Sequence, residues 1–474
     1  MRTKSVAIIG TGQAALAAGG VLDRHAIRGL NIDFFEARSE PGGRVSSRAI
    51  SADLLDSFSK SPNTLKQDLI VEDGPGFVDR SNIRLRNLIE RHGFTLEPVY
   101  GRKHESLPLS LKLEGQEYSF EEVCELAENI LAPLESDRDR ISKFPDGVRA
   151  RELKKISILN YFQQLGADPL FIKAYDLIWL DDNGASISLS PAFSFFETTK
   201  GKEWNGNIFE RKGYAKYRVK GGLSGFVESW VNDIQADFKY DQAVERIVPG
   251  LQGVRLEFAK GSRRRSGMYD TVIVTAPPRA MADIDISKVS FPRKLRKLIA
   301  EAPMAQHEKV HILSSITPSG SEGLFLNEDL GFSTWTSKNS KAAVNEPVVI
   351  TAFPRGTPLN VEKLKKQIKQ NYPDLKDARL KLAGKTKWSE DPYAGGSYST
   401  FGLTTELREA AEYYRRRPAT NKDGNVVMAG ELFSPLPNFQ GQMEGAIISG
   451  REEARNILQK ERNYSKDGRR NMRR

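Results

Sequence analysis

The chain opens with short apolar runs separated by stretches that favour a helix. One apolar run lies at residues 5–9, a glycine-rich turn follows at 10–12, and residues 13–18 are small and helix-forming. A second apolar run at residues 31–35 ends in Glu36. Apolar runs of this length are typical of strands buried on both faces of a parallel sheet. The pattern therefore predicts a β-α-β unit.

Farther along the chain, the pattern changes between helical and strand-like periods. At residues 83–91, apolar side chains fall on one helical face and charged side chains on the other. Helices are predicted in the same way at residues 118–134, 153–165, 224–231, 361–370 and 441–458. Strands are predicted at residues 71–77, 243–248, 255–258, 270–277, 309–313, 347–350, 395–398 and 426–431.

Composition narrows the class of protein. The 474 residues are 39% hydrophobic and 28% charged, which lies in the globular range and excludes a wholly disordered chain. The net charge of +10 is scattered along the chain, so we expect no nucleic acid as a partner. With one cysteine and five histidines, neither a disulfide framework nor a metal site is predicted.

Targeting and membrane segments are not predicted. No apolar run reaches the roughly 18 residues that a membrane-spanning helix needs. The first strand begins within five residues of the N-terminus, which leaves no room for a signal peptide before it. We therefore expect a cytoplasmic protein without a membrane span.

The turn after the first strand carries candidate chemistry. Gly10 and Gly12 let the backbone turn and approach a pyrophosphate, which binds at the N-terminus of the next helix. Ala15 stands at the third position of the G-x-G-x-x-G pattern, where a small residue is needed for helix–strand packing. Glu36 is suited to bind the two ribose hydroxyls of an adenosine. The motif favours a dinucleotide, and a β-α-β unit without a ligand stays an alternative.

Five separated segments carry a resemblance to one family. They are GTGQAA with Glu36, EARSEPGGRV, KGGLSGFVESW, WSEDPYAGGSYST and GQMEGAIISGREEA. The chain resembles the flavin-containing amine oxidases, which include monoamine, polyamine and L-amino-acid oxidases, from residue 5 to about 460. The strings at residues 28–44 and 276–281 look most like the bacterial tryptophan oxidase of indole-pigment biosynthesis.

The resemblance implies a fold and a division into domains. The fold class is α/β (α+β overall), with a Rossmann-like FAD-binding domain interwoven with a substrate domain of mixed sheet plus helices. Residues 1–80, 213–290 and 420–460 are assigned to the FAD-binding domain, and residues 81–212 and 291–419 to the substrate domain. The basic tail at residues 461–474 is expected to be disordered.

The resemblance also implies which residues hold FAD. The implied set is Gly10, Gly12, Ala15, Glu36, Arg38, Gly43, Arg44, Val244, Gly430, Glu431 and Met443. Among them, Val244 would contact adenine through its backbone. Met443 would place a backbone N–H near the flavin O2, where negative charge develops on reduction.

The catalytic residues are assigned in the same way. In relatives, a lysine at the position of Lys309 holds a water against flavin N5 and assists oxygen reduction. The alternative is an ordinary strand lysine that faces solvent. Trp388, Tyr393 and Tyr398 flank the flavin in relatives, and Tyr393 is also a candidate substrate contact. Gln442 stands opposite Tyr398, where many relatives have an aromatic residue, and it is a candidate hydrogen-bond partner of a polar substrate.

Two departures from the family pattern concern the cofactor and the substrate. Ser397 stands where monoamine oxidases carry the cysteine that binds the flavin covalently, so FAD is expected to be non-covalent. Phe77 stands where L-amino-acid oxidases carry the arginine that clamps the substrate carboxylate. Arg80, Arg84 and Arg86 are expected to face solvent. Whether the substrate carries a carboxylate is left open.

Three functions follow from these observations. The leading hypothesis is an FAD-dependent oxidase that takes a hydride from the CH–N unit of an amine or L-amino acid and uses O2. The imine product is hydrolysed to a carbonyl and ammonia or an amine, and hydrogen peroxide is released. The alternatives are a flavin-dependent desaturase or oxidase of a C–C or thioether substrate, and a non-catalytic flavin-binding scaffold. The oligomeric state is left open, with a homodimer as one possibility.

Overall fold

Most of the chain is described by the computed structural model. It covers residues 4–25, 30–59, 68–99, 108–199, 214–261, 265–319, 323–328, 331–337, 346–354, 360–400, 402 and 405–471, and side chains of the last helix as far as residue 462. Its strands form two large sheets, of six and seven strands, and three smaller ones. The candidate site is lined by residues from both large sheets.

The six-stranded sheet is built around the predicted β-α-β unit. Its order is Ala419–Thr420, Val426–Met428, Thr271–Val274, Lys4–Ile9, Leu30–Phe35 and Asp237–Lys239. All neighbours are parallel except the first pair, and Ile8 lies level with Phe34 and Ile273. Because parallel strands end at one edge, the glycine turn, Glu36 and Gly430 come together there.

Two different cores cover the faces of this sheet. Val6 and Ile8 face one core, and Ala7 and Ile9 face the other, as the alternation of a strand requires. The first core is shared with the helices Gln13–His25, Ile83–Arg91, Leu223–Asn232 and Met443–Asn471. The second is shared with the antiparallel strands Val244–Gly250, Gly253–Phe258 and Ser266–Tyr269 and the helices Pro278–Met281, Arg293–Glu301 and Thr405–Arg415.

The seven-stranded sheet is mostly antiparallel. Its order is Leu380–Lys387, Glu308–Ser314, Val348–Pro354, Phe332–Thr336, Leu324–Asn327, Leu109–Leu113 and Gln116–Ser119. The one parallel pair among these strands joins Leu324–Asn327 to Leu109–Leu113. The helix Val361–Asn371 packs on this sheet in one core. A second core contains the helices Phe120–Glu125, Glu128–Lys143, Val148–Leu153, Ile158–Gln164, Pro169–Asn183 and Ala192–Thr199.

Two further pairs of short strands form two-stranded sheets. Ser47–Ile50 pairs with Leu69–Glu72, and Leu96–Pro98 pairs with Tyr217–Val219. The short helix Ala52–Asp56 follows the first of these strands. Among the described residues, no helix is long and apolar enough to cross a membrane.

Two predicted helices have the wrong bounds, because N-cap residues start the observed helices at other positions. The helix predicted at 118–134 is instead the end of a strand and two helices, Phe120–Glu125 and Glu128–Lys143. Ser119 forms a capping box with Glu122, which fixes the first helix start after the strand. The helix predicted at 153–165 begins at Ile158, because the Ser157 side chain accepts a hydrogen bond from the backbone N–H of Asn160.

The strand predicted at 395–398 is absent, and the segment is a series of turns. Gly395 has φ 61°, which is left-handed and outside the range of a strand. A Cβ at Gly395 would overlap the Arg279 side chain, and one at Gly396 would overlap Met304. The turns therefore let this segment pass close to its neighbours.

The tail also differs from its prediction. The last helix continues to Asn471, so most of the segment predicted to be disordered is helical. No proline interrupts the chain after Met443, and Glu461 is paired with Lys4 of the first strand. The domain boundaries stay a prediction, although Leu85, Leu88 and Ile89 lie in a core of the six-stranded sheet.

Candidate functional site

A cavity of about 690 Å³ is lined by residues of both large sheets. It is lined by all the predicted site residues except Ala15. Those lining it are Gly10, Gly12, Glu36, Arg38, Gly43, Arg44, Phe77, Val244, Lys309, Trp388, Tyr393, Tyr398, Gly430, Glu431, Gln442 and Met443. Ala15 lies on the first helix and is fully buried in the core that this helix shares with the six-stranded sheet. Its small side chain therefore serves packing.

One end of the cavity is formed mainly by backbone. Gly10 has φ 98°, and a Cβ there would lie 2.7 Å from Thr275 Oγ1. Gly43 has φ 63°, and a Cβ there would lie 3.5 Å from Gly12 Cα. Two glycine turns therefore approach each other beside the N-terminus of the helix Gln13–His25. This is a cradle that suits a pyrophosphate, since the helix N-terminus offers unpaired N–H groups.

Glu36 is buried at the same end and is held by hydrogen bonds. Its Oε2 accepts from Thr11 N at 3.0 Å and from Thr11 Oγ1 at 2.6 Å, and its Oε1 accepts from Arg38 N at 3.0 Å. Val244 begins the strand Val244–Gly250, which belongs to the antiparallel three-stranded sheet. The carboxylate is thus fixed at the cavity wall, where a ribose could reach it.

Arg38 and Tyr393 lie together at this end. The Arg38 guanidinium bonds Asp391 at 2.6 Å and lies 5.5 Å from the centre of the Tyr393 ring. Tyr393 is 41% exposed. This pairing with Arg38 places Tyr393 at the rim, apart from the aromatic residues around Lys309.

Arg44 and Glu431 connect the end with the glycine turns to the rest of the cavity. Arg44 Nη1 donates to Ser397 O at 2.8 Å and lies 3.3 Å from Glu431 Oε1. Glu431 also accepts from Ser399 N at 2.9 Å and from Gly441 N at 3.2 Å. Glu431 therefore fixes the turn at 397–399 and the approach to the last helix, which begins at Met443.

Lys309 is buried on the strand Glu308–Ser314, and the solvent-facing alternative is wrong. Its Nζ donates to Glu72 O at 3.1 Å and to Gly74 O. It also lies 5.4 Å from the centre of the Trp335 ring. Burial lowers the pKa of Lys309 to about 8, although the nearby Glu72 carboxylate opposes this shift. The ammonium is therefore fixed in the cavity wall and titrates near physiological pH.

Trp388 and Tyr398 are both held by backbone carbonyls. Trp388 Nε1 donates to Asp73 O at 3.0 Å, and the Tyr398 hydroxyl donates to Asp181 O at 3.0 Å. The Tyr398 ring stacks on His307, with centroids 5.4 Å apart and an angle of 21°. These contacts fix the orientation of both rings in the cavity wall.

Phe77 belongs to an aromatic wall that the sequence did not reveal. Its ring lies 5.5 Å from Trp335, and Trp335 lies 6.1 Å from Phe353. Phe353 in turn stacks on His307 at 4.4 Å. The signal for this wall is strand register, since Trp335 pairs with Thr351 and shares a face with Phe353.

Gln442 lies on a polar wall of the cavity. Its side-chain Oε1 accepts from Asn82 Nδ2 at 3.2 Å, and its backbone N–H donates to Phe439 O at 3.2 Å. Asn82 was not predicted, although it precedes the predicted helix at 83–91. The Gln442 amide is thus oriented by a partner from a distant segment.

Comparison with known proteins identifies the family. The family of flavin-containing amine oxidoreductases matches residues 16–458. The chain belongs to this family. The match confirms the predicted resemblance, a flavin cofactor and the class of enzyme, a flavin-dependent oxidoreductase acting on the C–N bonds of amines.

Solved structures of similar fold support the fold class. A putrescine oxidase bound to putrescine is 17% identical, with a TM-score of 0.73, over 96% of this chain and 99% of that one. Cyclohexylamine oxidase from Brevibacterium oxydans IH-35A is 18% identical, with a TM-score of 0.70, over 97% and 99%. The predicted combination of a Rossmann-like domain and a mixed-sheet domain is thereby confirmed.

Proposed function

We propose that the protein is an amine oxidase whose substrate has an apolar or aromatic body and no carboxylate beside the amine. The observation that carries this proposal is the buried Lys309 ammonium at the aromatic end of a cavity whose other end is a glycine cradle. A bound flavin would supply the redox chemistry, in which the CH–N unit loses a hydride and two electrons reach O2, so that an imine and hydrogen peroxide form. Water then hydrolyses the imine to a carbonyl and ammonia or an amine.

The residues at the cofactor end suit FAD. Gly10, Gly12 and Gly43 leave space for the pyrophosphate, and Glu36 would bind the ribose. The Ser397 hydroxyl donates to Ala305 O at 2.9 Å. A hydroxyl cannot form the thioether of covalent relatives, so FAD is held non-covalently in this proposal.

Lys309 supplies positive charge for the oxygen reaction. The two carbonyls and the Trp335 ring hold its Nζ before the reaction begins, so little reorganisation is needed. A fixed cation stabilises the negative charge that develops on oxygen as electrons arrive. Lys309 can also donate a proton near neutral pH, because its pKa is about 8.

Tyr398 and Gln442 orient the substrate from two walls. The Tyr398 ring is fixed by His307 and by the carbonyl of Asp181, so it offers an apolar face that excludes water. The Gln442 amide is held by Asn82 and offers a hydrogen bond to the amine. This pairing replaces the two aromatic walls of many relatives.

The proposal that the substrate has no carboxylate is supported by the arginines near Phe77, which have other partners. The Arg218 guanidinium lies 5.2 Å from the centre of the Phe77 ring, but it donates to Ser337 O and Thr336 O, both at 2.9 Å. Arg84 is paired with Glu444 at 3.2 Å. In the described lining of the cavity, the basic residues are Arg38, Arg44 and Lys309. Each of these is already engaged, since Arg38 is paired with Asp391, Arg44 is paired with Glu431, and Lys309 donates to backbone carbonyls.

The direct test is substrate oxidation by the purified holoenzyme. Flavin absorbance is recorded without oxygen as arylalkyl amines, alkyl amines, diamines and L-amino acids are added. We expect arylalkyl amines to bleach the flavin and to release peroxide when O2 is admitted. Faster bleaching by L-amino acids would reject the proposed substrate class. No bleaching by any amine would reject the oxidase itself.

A further inference from the structure

Gln13 is a buried polar residue to which the sequence motif gives no role. It is the first residue of the helix Gln13–His25, it lines the cavity, and it is 5% exposed. Neither its Oε1 nor its Nε2 has a hydrogen-bond partner among the described residues. Burial of an unpaired amide is unfavourable, so the side chain is suited to a ligand that enters the cavity.

A second buried glutamine in the site shows that burial alone does not leave an amide unpaired. Gln440 is 4% exposed and also lines the cavity. Its Oε1 accepts from Arg415, and its Nε2 donates to Thr400 O at 3.1 Å. The protein therefore satisfies one buried amide internally and, among the described residues, leaves the other unpaired beside the cavity.

The position of Gln13 in the cavity indicates which part of the cofactor its side chain would contact. Glu36 marks the adenosine end, and Met443 and Ala446 of the last helix line the same cavity. A Cβ at Gly450 of that helix would overlap the carbonyl oxygen of Ala14, so the first turn containing Gln13 packs tightly against the last helix. Gln13 thus lies between the cradle for the pyrophosphate and the helix assigned to the flavin.

The hydrogen-bonding groups of the Gln13 amide distinguish between the parts of FAD that would lie in that region. Nε2 donates and Oε1 accepts, so both are satisfied only by a group that accepts and donates. Pyrophosphate oxygens only accept, whereas the ribityl hydroxyls of FAD do both. We propose that Gln13 binds the ribityl chain of FAD through its side-chain amide. This inference depends on the bound flavin and not on the substrate proposed above.

The test compares FAD with ADP as probes. Gln13→Met keeps the length of the side chain and its helix propensity, and Gln13→Leu is a second variant. We expect the dissociation constant for FAD, measured by flavin fluorescence on protein freed of cofactor, to rise about 5- to 100-fold for the loss of two hydrogen bonds. The affinity for ADP should change less than about twofold, because ADP lacks the ribityl chain.

Controls separate binding from folding. Gln163→Leu changes an exposed glutamine outside the cavity and should leave both affinities unchanged. The cofactor-free Gln13 variants should melt at the same temperature as the parent or higher, because an unpaired buried amide is removed. An unchanged FAD affinity would overturn the inference, and so would an equal loss of ADP affinity. Neither result would bear on amine oxidation, which the flavin-bleaching test measures independently.

Discussion

The two ends of the cavity are built in different ways. The end proposed to hold the cofactor uses backbone turns and one acidic side chain, with Gly10, Gly12 and Glu36 close together in sequence. The end proposed for the substrate uses side chains from distant strands and turns, among them Lys309 and Trp335. A backbone site is specified by a short motif, whereas a side-chain site depends on strand register and on long-range packing. Substitutions at the two ends should therefore have different effects.

The largest effect is expected from Lys309→Met. Loss of a preorganised charge typically costs roughly 2.7–4 kcal/mol, so reoxidation of the flavin by O2 should slow about 100-fold or more. Flavin reduction by substrate should change far less, since that step depends on orientation. Stopped-flow absorbance measures the two half-reactions separately. The control Lys381→Met removes an exposed lysine from the adjacent strand Leu380–Lys387. Equal oxygen rate constants for Lys309→Met and the parent would remove Lys309 from the mechanism.

The pH dependence of the oxygen reaction should sharpen this result. The pKa of Lys309 is lowered to about 8, so the group is a cation below that pH and neutral above it. The rate constant for reoxidation should therefore fall as pH rises through about 8, towards the value of Lys309→Met. The groups whose charges act on Lys309 are Glu72, Asp73 and Arg218. A profile that is unchanged by Lys309→Met would assign the titration to another group.

Glu36→Ala should affect the other end of the cavity. A charge-assisted hydrogen bond contributes about 1.5–3 kcal/mol, so FAD affinity should fall roughly tenfold or more. Titration of cofactor-free protein with FAD measures this change. Glu40→Ala, which removes a nearby exposed carboxylate, is the matched control. FAD retention equal to that of the parent would contradict the assignment of Glu36.

Tyr398→Phe should have a smaller effect. It keeps the ring on His307 and removes only the hydrogen bond to Asp181 O. A neutral hydrogen bond contributes about 0.5–1.5 kcal/mol, so kcat/KM for the amine should fall about 2- to 12-fold. Tyr398→Leu, which removes the ring, should lower kcat/KM further. If both variants lose the same activity, the stacked ring has no role in orienting the substrate.

The smallest effect is expected at Ser397. Acid or heat should release all of the FAD from the parent and from Ser397→Ala, because a hydroxyl forms no thioether. Centrifugal filtration after denaturation, followed by absorbance of the filtrate, measures the released flavin. Yellow colour that stays with the denatured chain would show a covalent bond and contradict this assignment.

These contrasts also explain what the sequence could predict. The β-α-β unit, the glycine turn and Glu36 are local, and their places in the sheet follow from the rule that parallel strands end together. The turns at 395–398 were missed although the Gly395-Gly396 pair is typical of a turn, and Gly395 has the positive φ that glycine permits. The partners of Lys309 depend on which strands are neighbours, and the sequence carries no local signal for that choice.

The separate roles of the two ends can be tested in one set of measurements. Glu36→Ala, Lys309→Met and the double variant are prepared, and FAD affinity and the oxygen rate constant at saturating FAD are measured for each. We predict that Glu36→Ala changes only affinity, Lys309→Met changes only the oxygen rate, and the double variant shows both changes added within about 0.5 kcal/mol. A slow oxygen reaction in FAD-saturated Glu36→Ala, or loss of FAD from Lys309→Met, would contradict the account.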